Sequence, residues 1–147
     1  MSESGFWKYM SKNVKHMGHF NRIESHDLSV GFPDVEYCIA SCCSTIELKY
    51  GANEVPEIRP SQVRWFNKRI KHGGNPWLFA HIIVKGEDHY LLFKGKHVKI
   101  LCKSDDLAEW FSLSHRSWTG KVDWSSLIRV LQTKLPHSIS SSGSTTE

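Results

Sequence analysis

Asp34, Glu47 and Lys49 are the residues of this 147-residue chain whose types and spacing can do chemistry together. They lie in "GFPDVEYCIASCCSTIELKYG", which runs from Gly31 to Gly51. In "TIELKY" side chains alternate faces, so Glu47 and Lys49 point one way while Ile46, Leu48 and Tyr50 point the other. The apolar set can face a core while the carboxylate and the ammonium face a cleft. Asp34 follows Pro33 at the start of the preceding strand, one hairpin away, and can converge with Glu47 on one cation. Two hard oxygen ligands completed by water suit Mg²⁺. A cation so held can polarise a phosphoryl oxygen and lower the pKa of a bound water. A neighbouring lysine can orient that nucleophile or stabilise charge building on the phosphorane.

Two further residues can join the set. Glu24 shares a face with Arg22 if that segment is extended, and offers a third carboxylate. Gln62 falls in the first turn of a following helix, where its amide can position a water or a phosphate. Taken singly, each feature has a commoner explanation: E-x-K in a strand is an exposed ion pair, and P-D is a turn. The combination E…PD…ExK…Q, in that order, is far more specific.

The elements that must position these residues follow from periodicity. Phe6, Met10, Val14 and Met17 recur at helical spacing, which predicts a helix from about Glu3 to Met17 with Gly18 past its end. "HFNRIES" reads as a strand, "DLSVGFP" as a loop and Val35 to Ala40 as a short strand. "SCC" reads as the turn into a strand from Thr45 to Tyr50. A helix starts near Pro60, with Val63, Phe66 and Ile70 on its core stripe, and ends at Gly73-Gly74. "WLFAHIIVKG" and "HYLLFKGKHVKIL" read as strands joined by "GEDH". Ser104 with Asp105 and Asp106 opens a short helix carrying Leu107, Trp110 and Phe111. Asp123 caps a last one with Trp124, Leu127, Ile128, Leu131 and Leu135. The order is α-β-β-β-α-β-β-α-α, an α+β mixed sheet with helices packed against it. Residues 1–135 read as one domain, with a core over about 3–101 and a helical extension over about 104–135. The polar tail 136–147 reads as disordered.

Composition bounds the answer without deciding it. The net charge is +4, with nine histidines besides, which permits an acidic partner such as DNA but does not establish one. Arg22, Arg64, Lys68 and Lys71 are candidates to contact the phosphates of such a partner. The four cysteines, Cys38, Cys42, Cys43 and Cys102, contain no C-x-x-C pair and read as free thiols of a reducing compartment. No apolar run approaches the ~20 residues of a membrane span, and the first residues carry no signal-peptide core. A cytoplasmic protein is expected, in the host cytoplasm if phage-encoded. No nucleotide-binding glycine loop and no G-x-S-x-G elbow is present.

Pro33-Asp34 and Glu47-Leu48-Lys49 together resemble the signature of the PD-(D/E)XK nucleases. Gly31 before the PD, and Gln62 at the start of a helix ending in Gly73-Gly74, resemble most closely the VRR-NUC-like branch and related small phage nucleases. The resemblance spans roughly Phe6 to Val84. It implies a restriction-endonuclease-like α-β-β-β-α-β core, here with extra C-terminal helices. It further implies Mg²⁺ with Mn²⁺ as a substitute, held by Asp34, Glu47 and the backbone carbonyl of Leu48. Glu24 would be a second ligand or metal-water holder, and is a better match to the family's upstream acid than Glu3 or Asp27. Lys49 would be catalytic.

The function so implied is a Mg²⁺-dependent DNA endonuclease selective for branched or structured DNA, like a phage Holliday junction resolvase acting in recombination. Two opposed nicks across a four-way junction call for a homodimer. The Trp- and Leu-rich segment between Asp105 and Leu135 either covers the sheet or supplies that interface. The alternatives are a less selective nuclease or nickase, and a non-catalytic DNA-binding relic of the fold.

Overall fold

A computed structural model describes residues 2–24 and 31–133. It has five helices and one mixed sheet of six strands. In chain order the elements are α1 (Glu3–Val14), β1 (His19–Arg22), β2 (Val35–Ile39), β3 (Cys42–Ala52), α2 (Pro60–Lys71), β4 (Trp77–Val84) and β5 (Glu87–Lys94). A 3₁₀ turn (Gly95–His97) leads into α3 (Val98–Lys103), followed by α4 (Leu107–Leu113), β6 (Arg116–Thr119) and α5 (Trp124–Leu131). The strands lie in sequence order, β1 to β6. All neighbours are antiparallel except β3 and β4, which are parallel. A parallel pair needs a crossover, and α2 supplies it.

Strand alternation divides the core into two layers. Ile46 and Leu48 of β3, with Trp77 and Phe79 of β4, face Phe6, Met10 and Val14 of α1 and Leu127 and Leu131 of α5. Leu78, Ala80 and Ile82 of β4 face Phe66 of α2, Val98 and Leu101 of α3, and Trp110 of α4. The central strand β4 is thus covered on both sides, which is why its sequence is a nearly unbroken apolar run. Glu47 and Lys49 belong to the α2 side of β3, where that helix covers them.

The first seven elements follow the expected order, with several boundaries moved. α1 stops at Val14, and Met17 is 39 % exposed. β1 ends at Arg22, so Glu24 lies outside any strand. The β2–β3 turn is Ala40-Ser41, both at positive φ (47° and 70°), and Cys42 and Cys43 belong to β3. Two consecutive left-handed residues suit a two-residue hairpin. Without Asn or Gly there, the turn carried no sequence signal. The β4–β5 turn falls at Lys85-Gly86, likewise at positive φ. The expected strand through "KGKHVKIL" ends at Lys94, and residues 95–103 turn helical. Gly95 makes that switch possible: a Cβ there would meet the Pro76 carbonyl oxygen at 2.7 Å.

Two other expectations are corrected. Cys38 stands directly opposite Cys43 in the hairpin, and the two form a disulfide, leaving Cys42 and Cys102 as the free thiols. The segment after Cys102 is not an appended helical extension. β6 pairs with β5 inside the sheet, and Tyr37 of β2 donates its hydroxyl proton to the Leu131 carbonyl of α5 at 2.9 Å. Trp110, Leu127 and Leu131 are buried against the sheet, so these helices cover it. The tail 136–147, with Leu135, lies outside the described residues. Among the described residues no helix is long and apolar enough to cross a membrane.

Candidate functional site

The register of β2 against β3 pairs Val35 with Ile46. One step further along an antiparallel ladder brings Asp34 opposite Glu47, on the same face of the sheet. The ladder of β1 continues likewise, with the Ile23 N–H bonded to the Asp34 carbonyl at 2.6 Å. Asp34 is therefore held by backbone on both sides. Its side chain is fixed as well: the Leu48 N–H donates to Asp34 Oδ2 at 2.9 Å. Gly31 sets the approach to Pro33-Asp34. It has φ +87°, and a Cβ there would lie 2.3 Å from the Ser61 carbonyl oxygen, so only glycine lets the chain pass the start of α2.

Glu47 and Lys49 are buried under α2, at 3 % and 5 % exposure. Gln62, also 3 % exposed, ties them together. Its Nε2 donates to Glu47 Oε2 at 2.8 Å. Its Oε1 accepts from Lys49 Nζ at 3.0 Å and from the Arg59 backbone N–H at 2.9 Å. The last bond makes Gln62 the residue that reaches back to the N-terminus of its own helix, as in a capping box. Both donors to Oε1 can only donate, so the orientation of the amide is forced. Gln62 thus orients the lysine and the glutamate. It is committed to protein groups, which differs from the expected role on a water or phosphate. Lys49 Nζ also lies 3.5 Å from Glu47 Oε2.

The electrostatics of this cluster are unbalanced. Burial pushes the Glu47 carboxyl up to about 8, the facing Asp34 carboxylate adds to that, and Lys49 opposes it. Glu47 Oε1 is buried with no hydrogen-bond partner. Two facing carboxylates bond only if one keeps a proton, and a shared cation satisfies the same oxygens without it.

These observations fit a hard divalent cation between Asp34 and Glu47. The donors are oxygens, one of them is otherwise orphaned, and Lys49 is the one ammonium set against the two carboxylates. Among the described residues no cluster of three or more His, Cys, Asp or Glu is arranged for a metal. Two carboxylates with main-chain oxygen and water match the way Mg²⁺ is usually held.

The acid whose charge bears on the site is not the expected Glu24 but Glu3. Glu24 is exposed beyond the end of β1, outside the hydrogen-bonded cluster. Glu3, in the first turn of α1, is an exposed residue whose carboxyl group nevertheless senses the site. Partial burial raises its pKa, Lys49 lowers it, Asp34 raises it, and Arg59 and Arg22 lower it. Residue 27, the other acidic candidate, lies outside the described residues. Arg22 is among the charges that act on Glu3. Arg59 joins them unforeseen, because a helix-capping position gave no reason to single it out. Arg64, Lys68 and Lys71 are exposed along α2.

No family model matches the chain, and no curated protein matches it.

Proposed function

We propose that the protein is a Mg²⁺-dependent DNA endonuclease with a restriction-endonuclease-like core. The observation that carries this reading is the pair Asp34–Glu47, held face to face beside a buried lysine that is locked by Gln62. A protein has no structural gain from two facing carboxylates with an orphaned buried oxygen, because such a group costs stability unless something binds it. The resemblance of Pro33-Asp34 and Glu47-Leu48-Lys49 to the PD-(D/E)XK signature supports the same conclusion, with the Leu48 carbonyl as a further oxygen donor. Mn²⁺ suits the same donors.

Asp34 and Glu47 would hold the cation. Bound there, it supplies polarisation of a phosphoryl oxygen and acidification of a water. The remaining work falls to the chain. Lys49 holds an ammonium at fixed geometry beside Glu47, where it stabilises negative charge gathering on the attacked phosphate. Gln62 keeps Lys49 from swinging away, so its charge is preorganised. Glu3 offers a carboxylate that orients the attacking water and accepts its proton. Arg22 and Arg59, with Arg64, Lys68 and Lys71 along α2, take neighbouring phosphates of the strand.

The chain carries no separate sequence-reading module among its described residues, which supports recognition of DNA structure over sequence. A junction-resolving enzyme would act as a two-fold dimer. The buried faces of α4 and α5 are spent on the sheet, so such a dimer would use another surface. A cleavage panel of duplex, single-stranded, flapped and four-way DNA with Mg²⁺ tests the reading. Cleavage that depends on Mg²⁺ supports it, and preference among the four sorts resolvase from nickase. No cleavage of any substrate with Mg²⁺ or Mn²⁺ refutes it.

A further inference from the structure

Two strand residues from Glu47, the α2 side of the sheet opens into a cleft of about 380 Å³. The end of its floor nearer Glu47 is a row of directly paired residues, Thr45 of β3, Glu36 of β2 and Asn21 of β1, and the next row, with the Cys38–Cys43 disulfide, continues it away from the candidate site. Thr45 and Glu47 share a face, so this floor continues the candidate site by about 7 Å along β3. Phe32 and Arg69 form the wall. Phe32 packs edge-on against Trp65 of α2 at 5.2 Å, and the Arg69 guanidinium lies over the Trp65 ring at 4.6 Å. Behind Arg69, a second shallow cleft of about 310 Å³ is lined by Trp65, Lys68, Arg69 and His72.

We infer that this cleft is a subsite for one unpaired nucleotide of the DNA strand next to the phosphate being cut. The inference rests on the nuclease reading above and assigns the cleft a ligand. Size comes first. The volume is near the lower end of the roughly 300–1,000 Å³ of small-ligand clefts, enough for a nucleotide and too small for a duplex.

Charge then orients the occupant. Glu36 is an exposed carboxylate on the floor, where a phosphate would be repelled. A base edge is the opposite case: its N–H groups donate to a carboxylate, and Asn21 beside it offers both a donor and an acceptor. Asn21 Nδ2 already lies 3.4 Å from Glu36 Oε1, so the two present one polar strip. The wall has the opposite sign. Arg69 and Lys68 can take the sugar-phosphate on the outer side, and Phe32 offers an aromatic surface for the base. The stack of Arg69 on Trp65 fixes the guanidinium before any ligand arrives. A nucleotide held this way must leave its partner strand, so the favoured DNA is unpaired beside the cut.

The test uses the full chain in chelator, where no strand is cut, with fluorescence anisotropy of a labelled short single strand and of its duplex at one salt concentration. The single strand should bind about tenfold more tightly, the worth of one stacked base. An abasic strand of equal length should lose that advantage. Arg69→Ala, an exposed helix substitution that leaves the core intact, should lower single-strand affinity several-fold more than duplex affinity. Phe32→Ala should do the same, and Lys99→Ala on α3 should leave the preference unchanged. Glu36→Gln should weaken single-strand binding. Equal affinity for single strand and duplex overturns the inference, as does a preference untouched by Arg69→Ala. Tighter binding by Glu36→Gln would put phosphate on the floor and overturn it too. Failure of the nuclease reading looks different: the single-strand preference persists while the wild-type chain cuts nothing with Mg²⁺.

Discussion

The Lys49 ammonium donates to Gln62 Oε1 at 3.0 Å while the same oxygen accepts the Arg59 backbone N–H at 2.9 Å. One amide therefore couples the start of α2 to the charged row of β3. Gln62→Ala would remove a hydrogen-bond partner from the buried Lys49 ammonium, the buried Glu47 carboxylate and the Arg59 N–H together, leaving the first two only their mutual contact at 3.5 Å. Each buried group left without a partner costs about 1–3 kcal/mol. The variant should unfold at clearly lower denaturant concentration and lose most of its turnover. Gln62→Glu keeps the acceptor oxygens but sets a third carboxylate against Glu47. It should retain more stability than Gln62→Ala with no better turnover. Denaturant melts and cleavage rates of the two variants check this.

Lys49→Ala should lower the cleavage rate about 10²-fold or more, the scale of losing one preorganised charge stabiliser. Lys49→Arg should not restore it, because a planar guanidinium does not replace a compact ammonium in a site this enclosed. Single-turnover kinetics at saturating Mg²⁺ separate this loss from a loss of metal binding. Near-normal turnover in Lys49→Ala would reduce the residue to a structural ion pair.

Without metal, Glu47 makes the protein less stable as pH rises. Its folded-state pKa, about 8, is above the usual 4.5, so between those values the native chain holds a proton that the unfolded chain has released. The resulting stability is fully present below about pH 4.5 and is lost as pH passes through about 8. Mg²⁺ needs the deprotonated carboxylate, so its affinity should climb over the same range, and its binding at neutral pH should release protons. Titration calorimetry in buffers of different ionisation enthalpy reads the proton release directly.

Asp34→Asn should abolish cleavage and yet stabilise the metal-free protein at alkaline pH. It removes the like charge that helps hold the Glu47 pKa up, while an asparagine oxygen can still accept the Leu48 N–H. Thermal melts in chelator at pH 6 and pH 9 should show the gain growing with pH. A variant that is uniformly less stable would mean that Asp34 serves the fold and not the site.

Glu3→Gln should slow cleavage more than Glu24→Gln. Glu3 senses Lys49, Asp34, Arg59 and Arg22, whereas Glu24 is exposed past β1. Side-by-side rates of the two variants decide which acid completes the site.

The pairing of Asp34 with Glu47 was legible because strand alternation and a hairpin between them left little freedom. Gln62 was legible as a neighbour, since Pro60 marked the helix start, but its bonding was not. A side chain that caps its own helix while bridging two buried charges has no spacing signature. Glu3 ranked below Glu24 because sequence distance hides that α1 begins near the charges of β3. The helix after Gly95 was missed because "KHVKIL" continues the run of "HYLLFK" with no helix-start signal, while the close approach of Pro76 and Phe66 to Gly95, where β5 gives way to the helical turn, leaves no mark in the sequence. The disulfide was missed for a related reason. Pairing Cys38 with Cys43 requires the turn at Ala40-Ser41, two residues that carry no turn signal.

Incubation of supercoiled plasmid and of four-way DNA with the purified chain, with Mg²⁺ and with chelator, beside identically purified Asp34→Asn and Lys49→Ala, tests the central claim most directly. Nicked or linear product that needs Mg²⁺ and the wild-type chain, and that is lost in both variants, is the result expected from two carboxylates and a lysine acting as one site. Plasmid and four-way DNA both intact under every condition, or equal cutting by wild type and Asp34→Asn, would contradict it.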